Sequence, residues 1–312
     1  MRSWKALIVL SVLALAGFLL YRTLSRYSMD ELVAAVAAVP LTRLVGAAAC
    51  AAASYLCLTG FDYLALHYVG RPLPYRRAAL ASFTSLSLGH NIGLAALSSG
   101  AIRYRFYTRW GLSAGQVAKI IIFCGATVGL GLLTLGGVAL LVRSALAVEI
   151  TGLSRSIVMC LGAACLAMPA AYLILAALVR KPLKIRQWSI ELPPLPLAFG
   201  QILVGSANFA FVAACLHQAL LAVADVAYLG VASVYVIANA AALVSHVPGG
   251  LGVIESVVIF LLPQQNLIGP LLVFRFVYFL VPLSLGLPLL ALTELVYRRS
   301  GSVGMSGERT QA

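Results

Sequence analysis

Several uninterrupted apolar runs of about 20 residues limit most strongly what this chain can fold into. Each run is long enough to cross a ~30 Å hydrocarbon layer as a helix. Lipid offers no hydrogen-bond partners, so a spanning helix must satisfy its backbone groups internally. The chain is 62% hydrophobic and only 10% charged, which is too little charge to cover the surface of a soluble domain. We therefore predict an all-α fold, a polytopic integral membrane helix bundle.

The apolar runs predict about eight spans, some of them broken by glycine or re-entrant. The predicted spans are residues 6–20, 44–68, 117–141, 156–179, 197–221, 226–246 and 271–296. A further short element at 250–263 is predicted to complete a crossing together with its unwound start. The first run has basic residues at both ends and no clean cleavage site, so we interpret it as a retained span. Residues 1–299 are thus predicted to form a transmembrane domain, and residues 300–312 a disordered cytoplasmic tail.

The formal net charge of +13 reflects the membrane topology. The basic residues lie mainly in short loops between apolar runs, where the positive-inside rule and anionic lipid head groups favour them. This placement does not indicate nucleic-acid binding. It assigns the loops at 71–77 and 180–186 to the cytoplasm, and it predicts that both termini face the cytoplasm.

The six cysteines indicate neither disulfides nor a metal site. All lie in apolar, helix-like sequence, without a CxxC pair and without a histidine at ligand spacing. We interpret them as small buried hydrophobic residues. The glycine-rich stretch near residue 250 does not follow a strand, so it is not a nucleotide fingerprint. The sequence therefore predicts no metal and no cofactor.

Residues 78–101 have the length of a span but an unusual composition. The segment contains His90, Asn91 and a Ser98-Ser99-Gly100 stretch that predicts a break. Basic residues flank it on both sides, at 76–77 and at 103–109, and a single crossing cannot reconcile both clusters with the positive-inside rule. We predict a re-entrant segment that enters and leaves by the cytoplasmic face, with a full span as the alternative.

A second break, HVPGGLGVIE at residues 246–255, interrupts the apolar sequence near the C-terminal end. The backbone groups that it frees need partners from protein or trapped water. Glu255 ends this stretch and Arg275 lies in the next apolar run, each costing at least a few kcal/mol in lipid. Such costs are tolerated where a polar cavity is built. Broken helices in corresponding places of two halves are typical of transporter binding sites, so we predict a cavity between the two breaks.

Three blocks resemble the membrane region of the lysylphosphatidylglycerol synthase/flippase (MprF) family, which shares a broad group with stand-alone YbhN-type inner-membrane proteins. The blocks are residues 60–66, residues 82–127, and residues 247–255 together with 275–282. The most specific element is Pro-Gly-Gly-x-Gly-x-x-Glu followed by Arg-x-x-Tyr. The chain departs from the family at Gln116, where many relatives carry an acidic residue. It also contains no stretch that resembles the family's cytoplasmic aminoacyltransferase domain.

The resemblance implies a lipid-translocating protein of the bacterial inner membrane, and not an enzyme, because synthase activity belongs to that cytoplasmic domain. The implied substrate is an anionic or aminoacylated phospholipid, with another phospholipid or an isoprenoid-type lipid as open alternatives. Two other functions stay open: a lipid-modifying transferase, and a non-catalytic partner of a separately encoded synthase.

The predicted substrate-binding residues lie mainly around the second break. The planar guanidinium of Arg275 matches a phosphodiester, and Tyr278 follows about one helical turn later. Glu255 is predicted either to meet a cationic head group or to form a structural bridge with Arg275, within salt-bridge or one-water reach. The glycines Gly249, Gly250 and Gly252 shape the backbone, and their freed N–H groups are alternative phosphate donors.

The remaining candidates lie on or beside the re-entrant segment, on the second predicted span and at the second break. Arg103, close to the Ser98-Ser99-Gly100 stretch, is predicted to contact an anionic lipid, whereas for Arg105 and Arg109 a topology-setting charge is the alternative. Asp62 is either a site residue or a structural hydrogen-bond acceptor. We interpret His90 and His246 as hydrogen-bonding residues at helix ends, with a proton relay as the alternative.

Overall fold

The computed structural model describes residues 29–92, 95–179, 183–185, 188–262 and 267–307. The predicted first span, residues 6–20, lies outside these ranges. The helices are α1 (Met29–Ala38), α2 (Leu41–Tyr68), α3 (Tyr75–Ile92), α4 (Ala95–Arg109), α5 (Ala114–Val142), α6 (Ser144–Thr151), α7 (Arg155–Leu178), α8 (Leu195–Leu220), α9 (Tyr228–Ser245), α10 (Val253–Leu261), α11 (Ile268–Arg275) and α12 (Val281–Gly307). Two short antiparallel strands, β1 (Leu183–Ile185) and β2 (Trp188–Ile190), pair in the loop between α7 and α8.

Six helical segments within the described ranges are long and apolar enough to cross a membrane. They are α2, α5, α7, α8, α9 and the continuous stretch Ile268–Tyr297. Each overlaps one of the predicted spans, so the prediction of an all-α polytopic membrane bundle is confirmed. The predicted number of about eight spans is approximate. The first predicted span lies outside the described ranges, and the element at 250–263 is short.

The centre of the bundle is formed by α2, α5 and α8, which pack along one another. Glycines permit a close approach: a Cβ on Gly131 of α5 would lie 2.3 Å from the carbonyl carbon of Gly205 in α8. In lipid the hydrophobic effect does not drive helices together, so helices associate through close packing, which small residues at the interface permit. The side chain of Gln201 adds a polar link, since its Nε2 donates to Thr127 Oγ1 at 3.0 Å. This centre forms the wall against which α3 and α9 pack.

The helices α3 and α4 form a helical hairpin, in which residues 75–92 and 95–109 pack against each other. The guanidinium of Arg77, near the start of α3, lies 5.7 Å from the ring centre of Trp110, just beyond the end of α4. The chain therefore returns to the side from which it came, as a re-entrant segment requires. The membrane face of entry stays a prediction. The predicted break at residues 98–100 is wrong, because these residues are helical within α4.

The second break is a turn between α9 and the short helix α10. Residues Pro248–Gly250 form one 3₁₀ turn. The φ angle is 52° at His246 and lies between 57° and 81° at Gly249, Gly250 and Gly252. This left-handed backbone is readily adopted by glycine, which explains why the stretch is rich in it. The following helix α10 packs against α9 and is only about 14 Å long, so it does not by itself complete the crossing expected of residues 250–263.

A π-helical turn, Phe276–Leu280, separates α11 from α12. It begins directly after Arg275 and contains Tyr278. Turns of this kind are rare and frequently occur at functional sites. The last helix, α12, ends at Gly307, so it overlaps the beginning of the predicted tail at 300–312. Residues 308–312 lie outside the described part of the chain.

Candidate functional site

A cavity of about 560 Å³ lies between the two interrupted segments. The hairpin lines it with His90, Ser99 and Arg103, and the second break lines it with Gly249 and Gly250. Side chains of α2, α5, α8, α9 and the π-helical turn complete the walls. The two segments also approach each other directly, because a Cβ added at Gly249 would lie 3.4 Å from the carbonyl oxygen of His90. The structure thus contains a cavity between the hairpin and the second break, although the break predicted at residues 98–100 is helical.

The walls of this cavity are mostly apolar, with a few polar side chains among them. Leu58, Phe61 and Phe209 are examples of the apolar lining. The polar lining residues are His90, Ser99, Arg103, Asn208, Tyr235, Asn239, His246 and Tyr278. An apolar enclosure with a small number of placed polar groups is the usual composition of a small-molecule site.

Arg275 and Glu255 form a bidentate ion pair beside the second break. The Nε of Arg275 donates to Glu255 Oε1, and its Nη2 donates to Glu255 Oε2 at 2.9 Å. The side chains are 4% and 15% exposed, respectively. The predicted proximity of these two residues is therefore present in the structure.

The same guanidinium also holds the turn. Arg275 Nη1 donates to the carbonyl oxygen of Gly249, and Nη2 donates to that of Gly250 at 2.8 Å. Together with the two bonds to Glu255, this engages four of the five N–H donors of an arginine. The backbone carbonyls that the break frees are thus satisfied by a side chain, as lipid surroundings demand. In this conformation Arg275 is a structural clamp on the turn, and the predicted phosphate contact would require it to open.

Three N–H groups of the break have partners within the break. The N–H of Gly250 donates to Val247 at 2.9 Å, and that of Leu251 to Pro248 at 3.1 Å. The N–H of Gly252 donates to the Glu255 carboxylate at 2.8 Å. In this arrangement the N–H groups of Gly250 and Gly252 serve the backbone path. The role of the glycine N–H groups as phosphate donors stays a prediction.

Tyr278 lies on the cavity and joins it to α2. Its hydroxyl is 3.0 Å from Ser54 Oγ, and Ser54 Oγ donates to Asn208 Oδ1 at 2.7 Å. The Tyr278 ring stacks on that of His90 with 6.3 Å between centres. The guanidinium of Arg275 instead lies 4.8 Å from the ring centre of Phe279. Arg275 and Tyr278 thus have different partners, Arg275 at the second break and Tyr278 at the cavity wall.

A second buried ion pair joins the hairpin to α2. Arg103 Nε and Nη2 donate to the two oxygens of Asp62, each at 2.8 Å, and the Tyr107 hydroxyl donates to Asp62 Oδ1 at 2.7 Å. Arg103 Nη1 also donates to Ser99 Oγ at 3.0 Å. Asp62 and Arg103 are 0% and 3% exposed. This geometry favours the structural alternative for Asp62, and it gives Arg103 a partner inside the protein.

Sequence reasoning missed a third cluster, in which Glu294 of α12 binds the end of the hairpin. Its carboxylate accepts from Arg105 at 2.5 Å and from Arg109 at 2.7 Å and 2.9 Å. The indole Nε1 of Trp110 donates to the Tyr297 hydroxyl at 2.8 Å. A lone glutamate in an apolar stretch was the available signal, because such a residue needs a partner.

His90 differs from the expectation for a helix-end hydrogen-bonding residue. Its Nδ1 is buried, and among the described residues no hydrogen-bond partner lies within reach. The imidazole lines the cavity beside Tyr278. His246 fits the expectation better, since its Nδ1 lies 2.8 Å from the carbonyl oxygen of Val244. Asn208 and Asn239, polar residues within apolar helices, are further lining residues that the sequence analysis did not single out.

These observations define a class: a polytopic helical membrane protein in which two interrupted segments meet at an intramembrane cavity. The chain is 33% identical over 292 residues to the Synechocystis sp. protein slr0712, covering 92% of this chain and 91% of the relative. It is 30% identical over 254 residues to the inner membrane protein YbhN of Escherichia coli, covering 78% of each. The chain belongs to the family of these proteins. No family model matches it, so the likeness to lysylphosphatidylglycerol synthases stays a resemblance.

Proposed function

We propose that this protein moves a polar lipid between the leaflets of the bacterial inner membrane, with the head group in the cavity and the tails in the bilayer. The cavity between the two interrupted segments is the observation that carries the proposal. Irregular backbone at membrane depth is tolerated where it is buried in protein or lines a cavity. Paired interrupted helices are typical of transporter sites. The inner membrane is proposed from the name of the Escherichia coli relative.

The size of the cavity supports a head group as its occupant. Its volume of about 560 Å³ lies within the ~300–1,000 Å³ common for small-molecule sites. On α5, Gly125 and Gly129 line the cavity, and a Cβ at either position would meet nothing within 4 Å. The helix face beside the cavity is therefore open, which would let the tails remain in the bilayer.

The resemblance supplies the first candidates for the cargo: an anionic or aminoacylated phospholipid, with a separately encoded synthase as a partner. A phosphate would bind Arg275 bidentately only after the guanidinium leaves Glu255 or the turn carbonyls, because four of its five N–H donors are engaged. A cationic head group would likewise have to displace Arg275 from Glu255. Both steps leave a buried charge without its partner. These candidates therefore require that the substrate itself opens the Arg275–Glu255 pair.

The proposal is tested by reconstitution into liposomes that contain lipids labelled on an acyl chain. A membrane-impermeant reductant bleaches the label in the outer leaflet, and the loss of the protected fraction reports exchange between leaflets. The protein should raise exchange above that of protein-free liposomes. Gly129→Leu should abolish this increase, because the new side chain fills open cavity space in a regular helix.

The matched control is Gly269→Leu, at a helical glycine that also has nothing within 4 Å of an added Cβ but does not line the cavity. It should exchange lipid as the wild type does. Equal lipid exchange by both variants and the wild type would contradict the assignment of the cavity as the path of the head group. Exchange at the protein-free rate for every lipid would contradict the function. Aminoacyl transfer to lipid that depends on this chain would favour the transferase alternative.

A further inference from the structure

The charges at the cavity are neutralised inside the protein. Among the described lining residues, Arg103 is the one permanently charged side chain, and both oxygens of Asp62 bind it at 2.8 Å. Beside the cavity, Arg275 is paired in the same bidentate way with Glu255. The wall therefore offers a head group neither a free cation nor a free carboxylate.

The other polar groups on the cavity wall are neutral. His90 Nδ1 is buried on the cavity, without a hydrogen-bond partner among the described residues. A buried polar atom of this kind costs free energy unless something binds it. The Asn208 amide, whose Oδ1 accepts from Ser54, lines the same space. So do the Tyr235 hydroxyl and the Asn239 amide, which are joined by a 3.5 Å hydrogen bond. These side chains recognise hydroxyl and amide groups, with both donors and acceptors present.

An ionised head group would fit this wall poorly. A phosphate in a mostly apolar cavity needs a cation, and taking Arg103 from Asp62 would strand a carboxylate that is 0% exposed. Removing one partner of a buried pair is strongly unfavourable, because the other charge stays uncompensated. An uncharged hydroxyl-bearing group needs only hydrogen bonds, and both ion pairs can stay closed around it.

We infer that the head group which enters this cavity is uncharged and hydroxyl-rich, as in a glycosylated diacylglycerol, and contains no ionised phosphate. His90 is its hydrogen-bonding contact. The inference rests on the proposed function, since it names the lipid class that the same cavity accepts.

The experiment compares acyl-labelled monoglucosyl diacylglycerol, phosphatidylglycerol and lysylphosphatidylglycerol in the same liposomes. Protein-dependent exchange of the glucosyl lipid should exceed that of both charged lipids by roughly tenfold, equivalent to about 1.4 kcal/mol. His90→Leu should remove most of the glucosyl-lipid exchange, whereas His90→Gln, which keeps a hydrogen-bonding group, should retain part of it. Thermal unfolding of the detergent-purified protein provides a binding readout, in which the glucosyl lipid should raise Tm more than phosphatidylglycerol does.

The outcomes separate this inference from the proposed function. If the charged lipids exchange as fast as the glucosyl lipid or faster, the inference is wrong and lipid translocation stands. If His90→Leu folds and exchanges glucosyl lipid at the wild-type rate, the assignment of His90 is wrong. If no lipid exchanges above the protein-free rate and none raises Tm, both proposals are overturned.

Discussion

Arg275 and Glu255, twenty residues apart in the sequence, form a bidentate ion pair that also fixes the turn between α9 and α10. The guanidinium binds the carbonyl oxygens of Gly249 and Gly250, while the carboxylate accepts from the N–H of Gly252. One pair of side chains therefore satisfies both carbonyl and N–H groups of the break. The arrangement explains how a turn with several left-handed residues persists at the edge of an intramembrane cavity.

Glu255→Gln and Arg275→Gln should each destabilise the protein, by about 3–5 kcal/mol, because each strands a buried charge. The double variant should lose less than the sum of the two. Arg275→Gln should be the more damaging, since it also frees the carbonyl oxygens of Gly249 and Gly250. Thermal or denaturant unfolding in detergent measures all three. Strict additivity would show that the two side chains do not act as a pair.

The two arms of the hairpin should open to the same side of the membrane. In a cysteine-free background, Arg76→Cys places a thiol at an exposed position in the first turn of α3. Ala114→Cys places one at the exposed start of α5, shortly after the end of α4. The control is Leu153→Cys. Leu153 is 38% exposed and lies beyond the far end of the spanning helix α5. An impermeant thiol reagent should modify residues 76 and 114 from one face and residue 153 from the other. Modification of 76 and 114 from opposite faces would make the hairpin a full crossing.

Gly131→Ala should weaken the contact between α5 and α8. The added Cβ would lie 2.3 Å from the Gly205 carbonyl carbon, so the helices must separate. Overpacking of this kind costs about 1–3 kcal/mol. Gly125→Ala, in the same helix with nothing within 4 Å, is the matched control and should be neutral or slightly stabilising. Equal melting temperatures for the two variants would refute the tight contact.

The spans were predictable because the length of an apolar run is a local property of the sequence. The ion pairs were harder to predict, since their partners are far apart along the chain. Arg103 and Asp62 are separated by 41 residues, and Arg105 and Glu294 by 189. The cost of a charge in lipid indicates that a partner exists, but only the packing of the helices determines which one it is. The Arg275–Glu255 pair was predictable because the break aims Glu255 toward the interior.

The position of the hairpin break was misassigned because Ser98-Ser99-Gly100 has the composition of a loop. In the structure these residues belong to α4, and a Cβ at Gly100 would lie 3.1 Å from the Cδ1 of Ile121 in α5. Small residues here serve helix packing. The role of Arg275 in phosphate binding stays a prediction: its donors match a phosphate, but here they bind Glu255 and two backbone carbonyls, whose positions only the folded turn sets.

Asp62→Asn should change which lipid the protein moves. The substitution removes the carboxylate that neutralises Arg103, and Arg103 lines the cavity. An unpaired cation would then face the head group, so the protein should be less stable but should bind phosphate better. Exchange of labelled phosphatidylglycerol should rise severalfold relative to glucosyl diacylglycerol, and phosphatidylglycerol should restore part of the lost Tm.

Tyr107→Phe provides the control for this change, because it removes one hydrogen bond to Asp62 and leaves the charge pair intact. It should cost about 1 kcal/mol of stability and leave the lipid preference as in the wild type. Asp62→Asn with an unchanged preference would mean that Arg103 does not face the transported head group. If the wild type already prefers phosphatidylglycerol, the Arg103–Asp62 pair opens during transport. The cavity then offers a charged side chain to the head group, and the inference of an uncharged head group is wrong.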